Sequence, residues 1–364
     1  MTNTTDSPRM PPRAPWWRAD ELEKRRRYLA ARHAIRRATE AYFDTRDFLA
    51  VETPALQWSP GMEPHLAAFE TRLETPGNPS APMFLHTSPE FAMKKLLAGG
   101  LERVYQLARA YRNGERSATH HPEFTMLEWY RAGQGYRDLI DDCVGLVRAA
   151  ATAAGGDRCL WRGRSSDPFA DWQVMSVAEA FDRFVDIDLL ATAPDPASPD
   201  LGLLSDQARR VGIEPHPGDR WDDLFFRIFL DRIEPHLGHP APTVLVDYPA
   251  SMAALSRVKP ADPRLCERFE IYVAGLELAN AFGELTDAVE QRKRFEADQA
   301  LKRSLYGRAY PIDEDFLAAL DPDRGGGLPE CAGIALGFDR LVMLATGADT
   351  IEKVLWAPVM APGT

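Results

Sequence analysis

The stretch CAGIALGFDRLVMLATGAD, residues 331–349, alternates small and apolar side chains and then becomes an apolar run. In an extended strand Gly333, Ala335 and Gly337 share one face, because side chains alternate between the two faces. A face with so little side chain leaves space for a flat ligand, or it permits tight helix–sheet packing. The following DRLVMLATGAD reads as a helix, and Arg340 near its start adds a cation where a helix terminus already favours anions. The stretch therefore predicts a strand that turns into a helix beside an anion.

A second candidate segment is YRNGERSATHHPEFTMLEWYRA, residues 111–132. Arg112 ends a strand-like pattern that begins at residue 103. A polar loop follows, and Phe124 is the first residue of a second predicted strand or of a helix. A guanidinium forks onto a phosphate and an aromatic ring stacks on a base, so this pair suits a nucleotide. The alternative is that Arg112 forms an ion pair and Phe124 belongs to the core.

A third segment, GLELANAFGELTD (275–287), places Glu277 and Glu284 among apolar and small residues. Unpaired burial of a carboxylate is costly, so both glutamates call for a cation, a metal ion or a ligand amine. With phosphates nearby, the two carboxylates would suit Mg²⁺, which prefers oxygen ligands shared with substrate phosphates. Salt bridges with a structural role are the alternative.

The remaining patterns indicate an α+β fold whose sheet is largely antiparallel and flanked by helices. Ser88 is the predicted N-cap of a helix over 88–100, with Pro89 at its first position. The other predicted elements are helices at 19–45 and 287–307, strands at 243–249 and 268–280, and a mostly helical insertion at about 137–240. Residues 1–18 are polar and proline-rich and are predicted to be a disordered tail, followed by one folded domain over 19–364.

Composition bounds the functional class. The chain has 364 residues, a net charge of −11 and 27% charged residues, which is ordinary for a globular protein and argues against bulk nucleic-acid binding. The arginine-rich segment 23–37 is either a solvated helix face or a partner-binding surface. No apolar run reaches the roughly 18 residues of a membrane span, so we expect no membrane association and a cytoplasmic protein.

Taken together, the three segments resemble the signature motifs of class II aminoacyl-tRNA synthetases, in the lysyl branch. ARHAIRRATEAYFDTRDFLAVETPAL (31–56) is similar to motif 1, which ends in a proline and supplies the dimer interface in that family. Residues 103–132 are similar to motif 2, and GIALGFDRL (333–341) to motif 3. The resemblance implies a homodimer that uses ATP and Mg²⁺ to convert an amino acid into an aminoacyl-adenylate.

The resemblance also implies roles for individual residues. Arg112 and Arg340 would be the catalytic arginines, on the α- and γ-phosphates, while Phe124 stacks on adenine. The other implied ATP contacts are Asn113, Gly114, His121, Glu277, Leu278 and Gly337, with Glu277 and Glu284 as Mg²⁺ ligands. The implied pocket for lysine or β-lysine consists of Ser88, Pro89, Glu90, Glu128, Tyr130, Asn280, Glu284 and Ala335. Its acidic groups would suit a substrate with two ammonium groups.

Five positions depart from the lysyl pattern. The family has Arg-Asn-Glu where this chain has Arg112-Asn113-Gly114, so Glu115 either replaces the family's glutamate or the contact is displaced. The family's His-Asn-Pro-Glu-Phe is His120-His121-Pro122-Glu123-Phe124 here, so a nucleotide contact passes to His121 or is lost. Methyl groups at Ala279 and Ala281 replace two glycines of the family, and Ala335 replaces a third.

Motif 1 begins near residue 31, which leaves no room for the anticodon-binding OB domain of lysyl-tRNA synthetases, of about 100 residues. The resemblance is therefore strongest to truncated paralogues that attach β-lysine to a lysine side chain of elongation factor P. On this interpretation elongation factor P is the protein substrate and tRNA is not. A minimal lysyl-tRNA synthetase and a catalytically inactive lysine-binding paralogue are the alternatives.

Overall fold

The computed structural model describes residues 15–360. Helices within this part are α1 (Ala19–Asp44), α2 (Glu90–Ala98), α3 (Asp138–Ala153), α4 (Val177–Val185), α5 (Leu201–Arg210), α6 (Trp221–Ile228), α7 (Ala288–Tyr306), α8 (Glu314–Leu320), α9 (Phe338–Thr346) and α10 (Ile351–Val354). Most of the predicted disordered tail lies outside the described residues. None of these helices is both long enough and apolar enough to cross a membrane.

Strands of the described chain form one large sheet and two small ones. The strands are β1 (Leu49–Ala50), β2 (Leu56–Gln57), β3 (Phe69–Leu73), β4 (Ala81–Leu85), β5 (Arg103–Tyr111), β6 (Glu123–Ala132), β7 (Cys159–Trp161), β8 (Arg164–Ser166), β9 (Gln173–Ser176), β10 (Thr243–Pro249), β11 (Leu265–Val273), β12 (Leu276–Gly283) and β13 (Cys331–Gly337). The large sheet has the order β1-β5-β6-β13-β12-β11-β10-β9. Its pairs are antiparallel except β1–β5 and β9–β10 at the two edges, which confirms the predicted α+β class.

The two faces of the large sheet differ in what covers them. One face packs its fully buried side chains, such as Trp129, Ile334 and Ile271, against α1, α3 and α9. The opposite face carries polar residues of β6 and β12 and the small residues of β13, and it is open at its centre. This division follows from the alternation of side chains along each strand, which separates core positions from site positions.

The segment predicted as a mostly helical insertion, 137–240, is joined to the main domain more closely than an independent insertion would be. Its first helix, α3, packs against α1 and belongs to the main core. Its strand β9 pairs in parallel with β10 and extends the large sheet. The remaining helices α4–α6 enclose a second apolar core around Phe181, Leu224 and Phe225.

The motif-3 strand and helix were predicted correctly, since β13 leads directly into α9 and Gly347 ends that helix with φ +67°. At α2 the predicted N-cap is displaced by one residue. Pro89 occupies the N-cap position, and the Ser88 hydroxyl accepts a hydrogen bond from the Glu90 backbone N–H instead.

A buried junction joins the three motifs. Arg32 of α1 forms an ion pair with Asp339 of α9 and donates to the Thr125 hydroxyl of β6 at 3.0 Å. The Thr125 backbone N–H in turn donates to Asp339 at 2.6 Å. Because Asp339 faces this junction, the adjacent Arg340 is directed towards the open face of the sheet.

Candidate active site

A cleft of about 370 Å³ lies on the open face of the large sheet and gathers most of the predicted site. The predicted residues that line it are Ser88, Glu90, Arg112, His121, Phe124, Glu128, Tyr130, Glu277, Leu278, Asn280, Glu284, Ala335, Gly337 and Arg340. Pro89, Asn113 and Gly114 are not part of its lining. The cleft is polar at both ends, and the two ends carry opposite charge.

Strand register builds the floor of the cleft. Ala335 pairs with Glu128 of β6 on one side and with Asn280 of β12 on the other. Gly333 pairs with Tyr130, and a Cβ atom at Gly333 would overlap the Tyr130 ring and the Glu284 carboxylate. The small residues of β13 therefore leave space into which functional side chains from neighbouring strands extend.

The acidic end of the cleft contains an internal ammonium group. Lys94 of α2 is 1% exposed and forms ion pairs with both Glu90 and Glu284. Burial alone would lower the pKa of Lys94, but the charges of Glu284 and Glu90 outweigh it and raise that pKa. One cation thus lies between two carboxyl groups, and carboxyl groups outnumber ammonium groups at this end of the cleft.

Glu128 lies beside this pair and is fully buried. Its carboxylate accepts hydrogen bonds from the Ser88 hydroxyl at 2.6 Å and from the Tyr130 hydroxyl at 2.9 Å. Burial, followed by the charge of Glu90, raises the pKa of Glu128 to about 8. Such a shift is typical of a carboxylate that lacks a cationic partner in its resting state.

The basic end is formed by the mouth of the β5–β6 hairpin. The Arg112 guanidinium lies over the Phe124 ring, 5.2 Å from its centroid. The Arg112 Nε atom is buried and has no hydrogen-bond partner within the described chain. A buried donor without an acceptor favours an anionic ligand, and the neighbouring ring offers a stacking face for a base.

Arg340 faces the same end from α9. It donates to the Glu277 backbone carbonyl at 2.9 Å, and its Nη2 lies 2.8 Å from Nε2 of His120. The Glu277 carboxylate lies 3.7 Å from Arg340. Arg340 is thus held towards the cleft by groups of the motif-2 loop and of β12.

The two histidines of the motif-2 loop differ from the prediction. Nδ1 of His121 bonds the Glu123 carbonyl at 2.6 Å, and Nε2 accepts from the Val359 backbone N–H at 3.2 Å. Backbone groups therefore occupy both ring nitrogens of His121, and neither is free for the predicted hydrogen bond to the nucleotide. His120, not His121, is the histidine that faces Arg340. Gly114 adopts φ +86°, which a glutamate would rarely adopt, and Glu115 lines the cleft in its place.

The predicted Mg²⁺ ligands, Glu277 and Glu284, both line the cleft, and their metal role stays a prediction. In the structure Glu284 is paired with Lys94. Within residues 15–360, no three or more histidine, cysteine, aspartate or glutamate side chains are arranged to hold a metal ion.

The structure also brings Glu270 close to Glu277. A tight turn at Ala274-Gly275 folds β12 back on β11, and Glu277 pairs with Tyr272, which shares a face with Glu270. The pKa of Glu277 is raised, first by burial in the cleft and second by the charge of Glu270. Sequence reasoning missed Glu270, although the alternation in EIYVAGLE around a small Ala-Gly turn was the available signal.

The raised pKa of Glu128 predicts how the stability of the free protein depends on pH. A glutamate titrates near 4.5 when unfolded and near 8 here, so the folded state holds this proton more tightly. Stability should fall as pH rises from about 5 to 8, by up to about 1.4 kcal/mol per pH unit for this group. Thermal unfolding of the wild type and Glu128→Gln across pH 5–9 measures the difference. Identical pH profiles would contradict the assigned shift.

Comparison with known proteins accords with this geometry. The family model for tRNA synthetases class II (D, K and N) matches residues 12–361. The chain is 39% identical to the elongation factor P–(R)-β-lysine ligase of Vibrio cholerae over 333 residues, covering 91% of this chain and 94% of that protein. Proteins of the same name from Klebsiella pneumoniae and Proteus mirabilis are 39% and 38% identical, covering 90% and 87% of this chain and 93% and 90% of those proteins. The chain therefore belongs to the class II tRNA synthetase family, in the group that includes the elongation factor P–(R)-β-lysine ligases.

Proposed function

We propose that this protein activates (R)-β-lysine with ATP and transfers it to a lysine side chain of elongation factor P. The observation that carries the proposal is the charge distribution of one cleft. Carboxylates at one end exceed the single internal ammonium group of Lys94, while Arg112 and Arg340 occupy the other end. A diamino acid and a nucleotide are complementary to these two ends.

In the first step, a substrate carboxylate oxygen attacks the α-phosphorus of ATP and pyrophosphate leaves. Arg112 neutralises the α-phosphate, Arg340 holds the γ-phosphate and Phe124 stacks on adenine. Positioning and charge neutralisation dominate such a displacement, so no covalent catalyst is required. Bound Mg²⁺ would neutralise phosphate charge, and the Glu277 and Glu284 carboxylates together with phosphate oxygens would be its ligands.

In the second step, a neutral amine of the protein substrate attacks the activated carbonyl. An amide bond forms, the bond to phosphate breaks, and AMP and a proton are released. The names of the Vibrio cholerae and Klebsiella pneumoniae relatives support elongation factor P as the acceptor. We further propose a homodimer in the cytoplasm, where translation factors act.

The test combines two assays. Pyrophosphate exchange with (R)-β-lysine, α-lysine or neutral amino acids reports activation, and mass spectrometry of elongation factor P or acid-stable labelling of tRNA reports transfer. We expect exchange with lysine-type substrates and a mass gain of the factor alone. Charged tRNA without factor modification would favour a minimal lysyl-tRNA synthetase, and no exchange with any diamino acid would favour an inactive binding protein. Light scattering measures the oligomeric state.

The methyl group of Ala335 lies between Glu128 and Asn280 and should help select the β isomer. We expect Ala335→Gly to raise kcat/KM for α-lysine about tenfold relative to (R)-β-lysine, because one methyl group in a pocket shifts discrimination by about 1–3 kcal/mol. The matched control is Ala332→Gly, since Ala332 lies on the core face of the same strand. An unchanged α/β ratio in the first variant would show that this alanine only packs.

A further inference from the structure

Glu63 lines the cleft but has no part in the roles assigned so far. It lies in the loop between β2 and β3, and this loop reaches the acidic end of the cleft beside Ser88 and Glu90. The Glu63 Oε2 atom is buried and has no hydrogen-bond partner within the described residues. A buried carboxylate oxygen without a partner is costly, so it indicates that a ligand supplies the missing donor.

The chain around Glu63 is shaped to hold this carboxylate. Gly61 adopts φ +136°, a region that other residues rarely adopt. A Cβ atom at Gly61 would lie 2.6 Å from Thr87 Oγ1 and 2.7 Å from Glu63 Oε2. Glycine at this position therefore allows the Glu63 side chain to fold back against the loop.

Lys302 of α7 binds the backbone of the same loop. Lys302 is 3% exposed, and its ammonium group donates to the backbone carbonyls of Glu63 at 3.3 Å, Pro64 at 2.9 Å and Leu66. It also lies 4.5 Å from the centroid of the Tyr310 ring. Three carbonyl bonds saturate the donors of Lys302, so this cation holds the loop in place.

The electrostatic neighbours of Glu63 locate it within the cleft. Burial raises the pKa of Glu63, and the charge of Glu90 raises it further, while Arg112 and Lys302 act in the opposite direction. Asp298 is a further acidic neighbour, whose own pKa the charge of Glu63 helps to raise. The charges of both Glu90 and Arg112 therefore act on Glu63, which lies between the acidic end and the basic end of the cleft.

We propose that Glu63 accepts a hydrogen bond from the substrate amino group nearest the reacting carboxylate. This inference rests on the proposed function. The reacting carboxylate must approach the α-phosphate at Arg112, while the distant ammonium group extends to Glu284 and Glu128. The amino group near the carboxylate then falls beside Glu90 and Glu63, where a charge-assisted hydrogen bond satisfies the buried oxygen. Glu63 is therefore a specificity-determining residue for diamino acids.

The test compares two ligands that differ only in that amino group. 6-Aminohexanoate keeps the carboxylate and the distant ammonium group of (R)-β-lysine and lacks the near amino group. We expect Glu63→Gln to raise KM for (R)-β-lysine by about 10- to 100-fold in pyrophosphate exchange, as for a lost bond to a charged group. The inhibition constant of 6-aminohexanoate should change less than about twofold, and Glu63→Asp should recover part of the lost affinity. The matched control is Glu102→Gln at an exposed site, which should leave both constants unchanged.

Each outcome has a defined meaning. If Glu63→Gln weakens both ligands equally, Glu63 acts on the general shape of the cleft, and the inference is overturned. If neither constant changes, Glu63 does not contact the substrate. Wild-type protein that fails to exchange pyrophosphate with any diamino acid would instead refute the proposed function. Thermal unfolding of each variant separates a loss of binding from a loss of folding.

Discussion

Replacing Arg340 with alanine is expected to reduce pyrophosphate exchange by about 10³-fold or more, while the protein remains folded. Arg340 presents its guanidinium at the basic end of the cleft, between the motif-2 loop and β12. Phosphoryl and nucleotidyl transfer depend on fixed cations for charge neutralisation, and removing one such arginine costs about 10³- to 10⁵-fold in related chemistry. Exchange kinetics at saturating ATP and (R)-β-lysine measure the effect.

Two further variants sharpen this test. Arg340→Lys keeps the charge but loses the planar fork, so most of the activity should remain lost. Arg324→Ala removes an exposed arginine of the turn Pro322–Arg324, which does not line the cleft, and should leave exchange unchanged. Exchange by Arg340→Ala within tenfold of the wild type would refute the assignment of Arg340 to the phosphates.

The second large effect is expected from Gly333→Ala. A Cβ atom at this position overlaps the Tyr130 ring and the Glu284 carboxylate, and both groups belong to the acidic end of the cleft. Since the floor is a paired central strand, the side chains must move rather than the backbone. A displacement of about 1 Å typically costs about 10²-fold, so kcat/KM for (R)-β-lysine should fall by at least that factor. Steady-state exchange kinetics measure it.

The control for the added methyl group is Gly135→Ala, where the new Cβ meets only Asp138 Oδ2 at 3.8 Å. This variant should retain normal kinetics. Displacement of a fluorescent nucleotide measures the ATP affinity of Gly333→Ala. This affinity should be nearly normal, because Arg112 and Phe124 lie at the opposite end of the cleft. Equal losses of ATP and β-lysine affinity would indicate a general collapse of the sheet and contradict the local explanation.

Local patterns were sufficient to predict the elements that carry the site. The alternation of small residues before an apolar run predicted β13 and α9, and the sequence from Arg112 to Phe124 predicted the hairpin mouth. These predictions succeeded because strand period and helix termination depend on neighbours within a few residues. The resemblance then selected the charged residues that face the cleft.

Pairings between distant segments were not predictable in the same way. Lys94 was treated only as part of a helix, yet it forms ion pairs with Glu90 and Glu284. Glu63 is brought to the cleft by a loop that Lys302 holds, more than 200 residues later in the chain. The pairing of Glu284 with Lys94 was missed for the same reason, because sequence spacing alone does not show which cation a carboxylate meets.

The internal ammonium group of Lys94 has a consequence for accuracy in the cell. Lys94 pairs with only some of the carboxylates around it. The affinity of the cleft for a ligand therefore increases with the number of ammonium groups on the ligand. Leucine, glutamine and other abundant amino acids with one ammonium group would leave a buried carboxylate unpaired, and sites that depend on such polar pairing reject the wrong ligand by large factors. Amino acids with one ammonium group would therefore be excluded at the binding step.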